Sequence, residues 1–114
     1  MDGLVSRLAD LESTLSLELS KVSINFKHID YCLTRRDPFR LNELTFQHFQ
    51  VILDSFLSTF RYLLKRIEEE ISAAFRLTAS SSIRRRIESI HSTLVTNIYQ
   101  ISRYISRIDQ RLNQ

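Results

Sequence analysis

The residues with reactive side chains are few, and they lie in stretches with helical spacing. Glu88 and His91 match the Glu-x-x-His spacing of helical di-iron centres. Such a centre needs two of these pairs and further inward-facing carboxylates, and the chain has no second pair. Helical rotation also places both side chains away from the apolar stripe of their helix. We therefore interpret them as solvated surface residues and expect neither a metal site nor a cofactor.

The single cysteine, Cys32, has one candidate partner for nucleophilic chemistry, His28, four residues before it. We interpret Cys32 instead as a half-buried thiol at the edge of an apolar stripe. A single glycine excludes a glycine-rich phosphate loop, and the chain has no Gly-x-Ser-x-Gly motif. The sequence therefore predicts a protein that is not an enzyme and has no small-molecule substrate.

The most specific feature is a basic sector on the last helical stretch. With 100° of rotation per residue, eight polar side chains fall opposite the apolar stripe, in a sector of about 100° that contains no Asp or Glu. They are Arg85, Ser89, Ser92, Thr96, Gln100, Arg103, Arg107 and Arg111. Positions 82–114 hold six arginines and two acidic residues, whereas positions 2–34 hold three basic and five acidic residues. The positive charge of the chain is therefore uneven.

This basic sector fits two kinds of partner. Arginines with neutral donors suit phosphate contacts, and a length of about 39 Å would follow several phosphates of duplex RNA or DNA without reading its sequence. An acidic protein is the other partner, and plain solvation of a helix face is the third interpretation. Cations in the first turn of a helix oppose the helix dipole, which is a hint of function. The candidate residues are Arg84, Arg85, Arg86, Gln100, Arg103, Arg107 and Arg111.

Composition restricts the elements that can position these residues. The chain has 114 residues, 43% of them apolar, with one glycine, one proline and a net charge of +3. A β-rich fold needs turn residues at short intervals, so this composition favours helices in a single domain over 1–114. No signal segment or membrane-spanning run is evident, and one cysteine gives no internal disulfide. We expect a soluble, cytoplasmic protein.

Apolar spacing predicts three long helices, over about 3–33, 38–78 and 82–112. The first and third have apolar residues at the same series of steps, 4, 3, 4, 4, 3, 4, 3, 4, so each presents one stripe. The middle helix has the widest apolar arc, about 140° across the stretch 46–75, and should touch both neighbours. Short turns make neighbours antiparallel, so we predict an elongated all-α three-helix bundle.

Turn residues set the expected helix ends. Asp37 and Pro38 suit a cap and first residue of the middle helix, with Asn42 or Thr45 as caps of a later start. One of the serines at 80–82 should cap the third helix. If the second and third helices fold back there, the acids at 68–70 come close to the arginines at 84–86, and some should pair.

A second, thinner apolar row lies opposite the main stripe of the first helix, at Leu17, Ile24 and Tyr31. Scattered surface apolar residues are normal, but a regular spacing of seven is what a partner helix requires. The row predicts a contact with another subunit. The expected function is a helical protein–protein interaction or oligomerisation module, with a second copy (a homodimer) or another helical protein as its partner. The alternative is a sequence-independent nucleic-acid-binding protein that uses the basic sector.

Overall fold

A computed structural model describes residues 2–34, 41–76 and 79–113. Within them the chain forms three helices and no strand: α1 (Asp2–Thr34), α2 (Leu41–Arg76) and α3 (Ser81–Leu112). The helices pack along their lengths into a rod of 58 × 20 × 18 Å. Its radius of gyration is 17.5 Å, against about 13 Å for a compact domain of this size. The prediction of an elongated three-helix bundle is confirmed.

Contacts near the two ends of the rod give the helix directions. Arg7 bonds to Glu70, and His28 lies edge-on to Phe49, with ring centroids 5.6 Å apart. Each pair is one residue from α1 and one from α2, and the order reverses between the helices, so α1 and α2 are antiparallel. Gln50 near the start of α2 donates to Asp109 near the end of α3, so these two are also antiparallel.

The core follows the predicted stripes. Buried side chains come from all three helices and recur at three- and four-residue steps, as one face of a helix requires. The fully buried ones are Leu4, Leu8, Val22, Ile29, Phe46, Leu53, Phe60, Ile67, Leu94, Ile101 and Ile108. α2 contacts both other helices, in agreement with its wide apolar arc. The core therefore runs the length of the rod, and each helix contacts both of the others.

The expectation for the last part of the α2 arc is wrong. Phe75 is 84% exposed and Ile71 is 39% exposed, although helical rotation places both on the apolar arc. The side chains of α3 at this level include Arg84, Ile87 and Glu88, and they leave Ile71 and Phe75 exposed. Rotation fixes the face on which a residue lies, but not how much of it a neighbouring helix covers.

The helix ends agree with the predicted turn chemistry where the structure describes them. Ser80 caps α3: its hydroxyl accepts a hydrogen bond from the Ile83 amide at 3.3 Å. The Ala79 amide donates to the Ala74 carbonyl at 3.1 Å, which satisfies one of the last carbonyls of α2. Asn42 and Thr45 lie inside α2, so neither caps it. The predicted start at Asp37 and Pro38 lies outside the described residues.

The expected charge pairs across the α2–α3 turn are wrong for Glu70 and Arg86. Glu70 accepts two hydrogen bonds from Arg7, at 2.8 and 3.0 Å, and Arg86 donates to Glu12. Both partners are on α1. Glu70 and Arg86 each lie on the side of their helix that faces α1, so the nearest opposite charge is there and not across the turn.

Candidate interaction surfaces

Three apolar side chains form a row along the outside of α1, which we call the outer α1 row: Leu17, Ile24 and Tyr31. They are 56%, 68% and 56% exposed. Seven residues are nearly two helical turns, so successive side chains stay on one face and the row extends about 21 Å. α1 buries its main stripe against α2 and α3 on the opposite side. The structure therefore places these three predicted residues on one exposed face of α1.

A second apolar row lies on α2, and the sequence interpretation missed it. Leu44, Val51 and Tyr62, the α2 row, are all exposed. Their spacings of seven and eleven residues are both close to whole helical turns, so the three share one face. That spacing was a usable signal. It was obscured because the much stronger apolar arc of the same helix dominates the pattern.

The α2 row borders the groove between α1 and α2. One depression in this groove is lined by Leu44 with His28, the next by Val51 with Lys21, and a third by Tyr62 with Thr14. The antiparallel register brings Tyr31 near the level of Leu44, Ile24 near Val51 and Leu17 near Tyr62, within about 3 Å along the axis. The two apolar rows thus lie at matching levels on neighbouring helices.

The predicted basic face is only partly available. Arg85, Gln100 and Arg103 are exposed on the side of α3 that points away from the bundle. Arg103 also lies against the exposed Tyr99, with its guanidinium carbon 5.9 Å from the ring centroid. Arg84 is exposed but faces the groove between α2 and α3. The free part of the basic sector is therefore narrower than its sequence suggests.

Three other arginines of the predicted face are engaged within the bundle. Arg86 is half-buried and pairs with Glu12, and this hydrogen bond raises the pKa of its guanidinium. Arg107 lies 3.4 Å from a carboxylate oxygen of Asp30. Arg111 is half-buried, with its guanidinium carbon 6.0 Å from the Phe46 ring centroid. Their charge is partly neutralised or turned away from an external partner.

Tyr104 joins α3 to α1 through a small polar cluster. Its hydroxyl donates to the Asp30 carboxylate, 2.8 and 2.9 Å from the two oxygens. Its ring stacks on Phe26 at 4.3 Å between centroids. Burial, followed by the hydrogen bond to Asp30 and the negative charge of that carboxylate, raises the pKa of Tyr104. Arg107 lowers this pKa, but the effects of burial and Asp30 are larger. The cluster therefore favours the neutral phenol and acts as a structural contact.

Of the other candidate residues, Cys32 is half-buried against the core. His28 and His48 line the same depression between α1 and α2, and His91 lies on α3. In the parts of the chain that the structure describes, no three His, Cys, Asp or Glu side chains are grouped to hold a metal ion. No described helix is both long and apolar enough to span a bilayer.

Comparisons of the chain with models of protein families, with curated proteins and with solved structures found no match.

Proposed function

We propose that this protein is a helical interaction module that associates with a second copy through the outer α1 row. The observation that carries the proposal is the alignment of three exposed large apolar side chains on one face, Leu17, Ile24 and Tyr31. Burying such surface is favourable, and an exposed apolar row on a helix is a candidate contact site. The partner that fits a seven-residue spacing is another helix.

A second copy suits the row because the row is symmetric about its centre. Leu17 and Tyr31 are each seven residues from Ile24. In an antiparallel contact with a two-fold axis at Ile24, each Ile24 meets its counterpart, and each Leu17 meets Tyr31 of the partner subunit. The α2 row lies at matching levels on the neighbouring helix.

Ile24→Glu tests this proposal. The substitution places a carboxylate at the centre of the contact twice per dimer, and we expect the dissociation constant to rise about 100-fold, or about 2.7 kcal/mol. Sedimentation equilibrium over a concentration series measures it. Ser16→Glu adds the same charge two turns away on α1, at an exposed position about 80° from the row, and should leave the mass unchanged. A parent protein that stays monomeric at high concentration, or equal effects of the two variants, would refute the proposal.

Nucleic-acid binding is the second candidate function, and exposed Arg85, Gln100 and Arg103 favour it. Two to three phosphate contacts predict a modest salt dependence: the affinity for a 20–25-base-pair duplex should fall about 10- to 40-fold between 50 and 200 mM salt. Arg85→Glu with Arg103→Glu should abolish binding without unfolding the protein. The absence of binding to both RNA and DNA at low salt would remove this candidate.

A further inference from the structure

A pocket of about 350 Å³ opens between the last turns of α2 and the first turns of α3. Its apolar lining comes from Ile71, Ala74 and Phe75 on α2 and from Ile87 on α3. The volume is at the lower end of the range for ligand sites, about 300–1,000 Å³, so it suits one large side chain more than an extended ligand. The pocket lies away from the outer α1 row, shares only Arg84 with the predicted basic face, and has no role in the proposed function.

Phe75 stands beside this pocket and is the most exposed large apolar side chain in the described part of the chain, at 84%. Ile71 and Ala74 lie one turn and one residue before it. A phenylalanine that is this exposed lacks the stabilisation that burial of its ring would give. A projecting aromatic side chain next to an apolar pocket gives this surface both parts of a self-complementary contact.

The rim of the pocket carries three ionisable side chains, Arg84, Glu88 and His91. Within the residues that the structure describes, none of the three side chains makes a hydrogen bond or an ion pair. Arg86, two residues after Arg84, is by contrast paired with Glu12. One free cation and one free anion, four residues apart on one helix, can be satisfied by the same two groups of another molecule.

We propose that this pocket is a contact surface for a second copy of the chain, related by a two-fold axis, in which each Phe75 enters the pocket of the other copy. A two-fold contact uses one patch on both subunits, so a projection and a pocket in the same patch are filled together. The same symmetry places Arg84 of one copy against Glu88 of its partner, twice. The charge complementarity of these two free side chains selects a second copy over an unrelated peptide.

The contact is independent of the outer α1 row. It uses the α2–α3 end of the rod, whereas the row lies on the outside of α1. The two surfaces carry separate reporters: the methyl groups of Ile71 and Ile87 for the pocket, and that of Ile24 for the row. Each surface can therefore succeed or fail without the other.

Charge exchange between two variants tests the pocket contact. Arg84→Glu leaves only acidic partners across the two-fold axis, and Glu88→Arg leaves only basic ones, so each variant alone should lose the association. An equimolar mixture should restore it, because each acidic rim then meets a basic one. A role of these residues within one chain would not be restored by mixing. Circular dichroism checks that both variants stay helical.

Methyl NMR over a concentration series up to about 1 mM gives the readout, since a small contact is expected to be weak. In the parent protein the Ile71 and Ile87 signals should shift with concentration, and Phe75→Ala should lower the association constant about tenfold. Shifts of the Ile24 signal alone would support the outer α1 row and overturn the pocket contact. The pocket contact is also overturned if both charge variants associate like the parent, or if their mixture does not recover.

Discussion

α3 packs closely against α2 along the hairpin that the two form, whereas α1 lies less closely against either of them. The hairpin interface consists mainly of aliphatic and aromatic side chains, such as Leu53, Phe60, Leu94 and Ile101. α1 buries an equally long apolar stripe. Its backbone nevertheless stands further from its neighbours, so the length of a stripe does not decide how closely a helix packs.

Long polar side chains occupy the seams between α1 and the hairpin. Arg7 reaches Glu70 on α2, while Arg86 of α3 reaches Glu12. An arginine and a carboxylate need more room between two helices than interdigitated isoleucines do. α1 is thus attached partly through polar contacts at its edges, and the same helix carries the outer α1 row. One bundle thus contains a tightly packed hairpin and a third helix that is packed less closely.

The largest difference between the hairpin and α1 should appear in the free energy of unfolding that is lost when an equivalent leucine is replaced by alanine. Leu94 of the hairpin is fully buried, and Leu15 of α1 is 6% exposed. Leu94→Ala should cost about 4–5 kcal/mol and Leu15→Ala about 2–3 kcal/mol, because a less closely packed seam collapses around the cavity more easily. Denaturation by urea, followed by circular dichroism, measures both costs. Equal costs would show that α1 is packed as rigidly as the hairpin.

The two residues of the Arg7–Glu70 pair should contribute unequally to stability, because one is shielded from water and the other is not. The Glu70 side chain is 8% exposed and that of Arg7 is 44% exposed. Arg7→Met leaves a shielded carboxylate without its partner, whereas Glu70→Met leaves an arginine that can turn to water. We expect the first to lower the urea midpoint more than the second, and the double variant to recover most of the loss. Additive effects of the single changes would contradict this.

Tyr104 should give the smallest effect, confined to the α1–α3 seam. Its pKa in the folded protein lies above the ordinary value near 10, so the folded state holds the phenol proton more tightly than the unfolded state. The resulting stability is present below pH about 10 and is lost as the pH rises through the folded pKa. Tyr104→Phe should lower stability near neutral pH by about 1 kcal/mol and should remove this part of the alkaline loss.

Urea midpoints of the parent and variant between about pH 8 and pH 11 test that expectation, because the difference between the two proteins isolates this group. Tyr99→Phe is the matched control, since Tyr99 is an exposed tyrosine five residues earlier on α3. If the urea midpoints of the parent and of Tyr104→Phe fall equally as the pH rises, the pKa of this phenol is the same in the folded and unfolded states and the expectation is wrong.

Apolar periodicity predicted the helices, their order and most of the core, because burial along a helix follows its rotation. Ser80 as a cap followed from turn chemistry. The exposure of Phe75 could not be predicted in this way, since it depends on which α3 side chains reach its level. The engagement of Arg86 and Arg107 depends on how α1 and α3 are rotated against each other, which single-helix patterns do not contain. The α2 row was present in the spacing and was missed.

The polar contacts between α1 and α3 specify the alignment of two parallel helices. Glu12 meets Arg86, and Asp30 meets Tyr104 at the same sequence offset, five turns further along. The apolar stripes of the two helices repeat at identical steps, so they would fit almost as well after a shift of one turn. A shift of four residues would move Asp30 opposite Gln100 or Ile108, so that the hydrogen bond from Tyr104 is lost, and would move Glu12 away from Arg86. Burial of the apolar stripes holds α1 and α3 together. The polar contacts of Glu12 and Asp30 select one axial alignment among those that the repeating stripes allow.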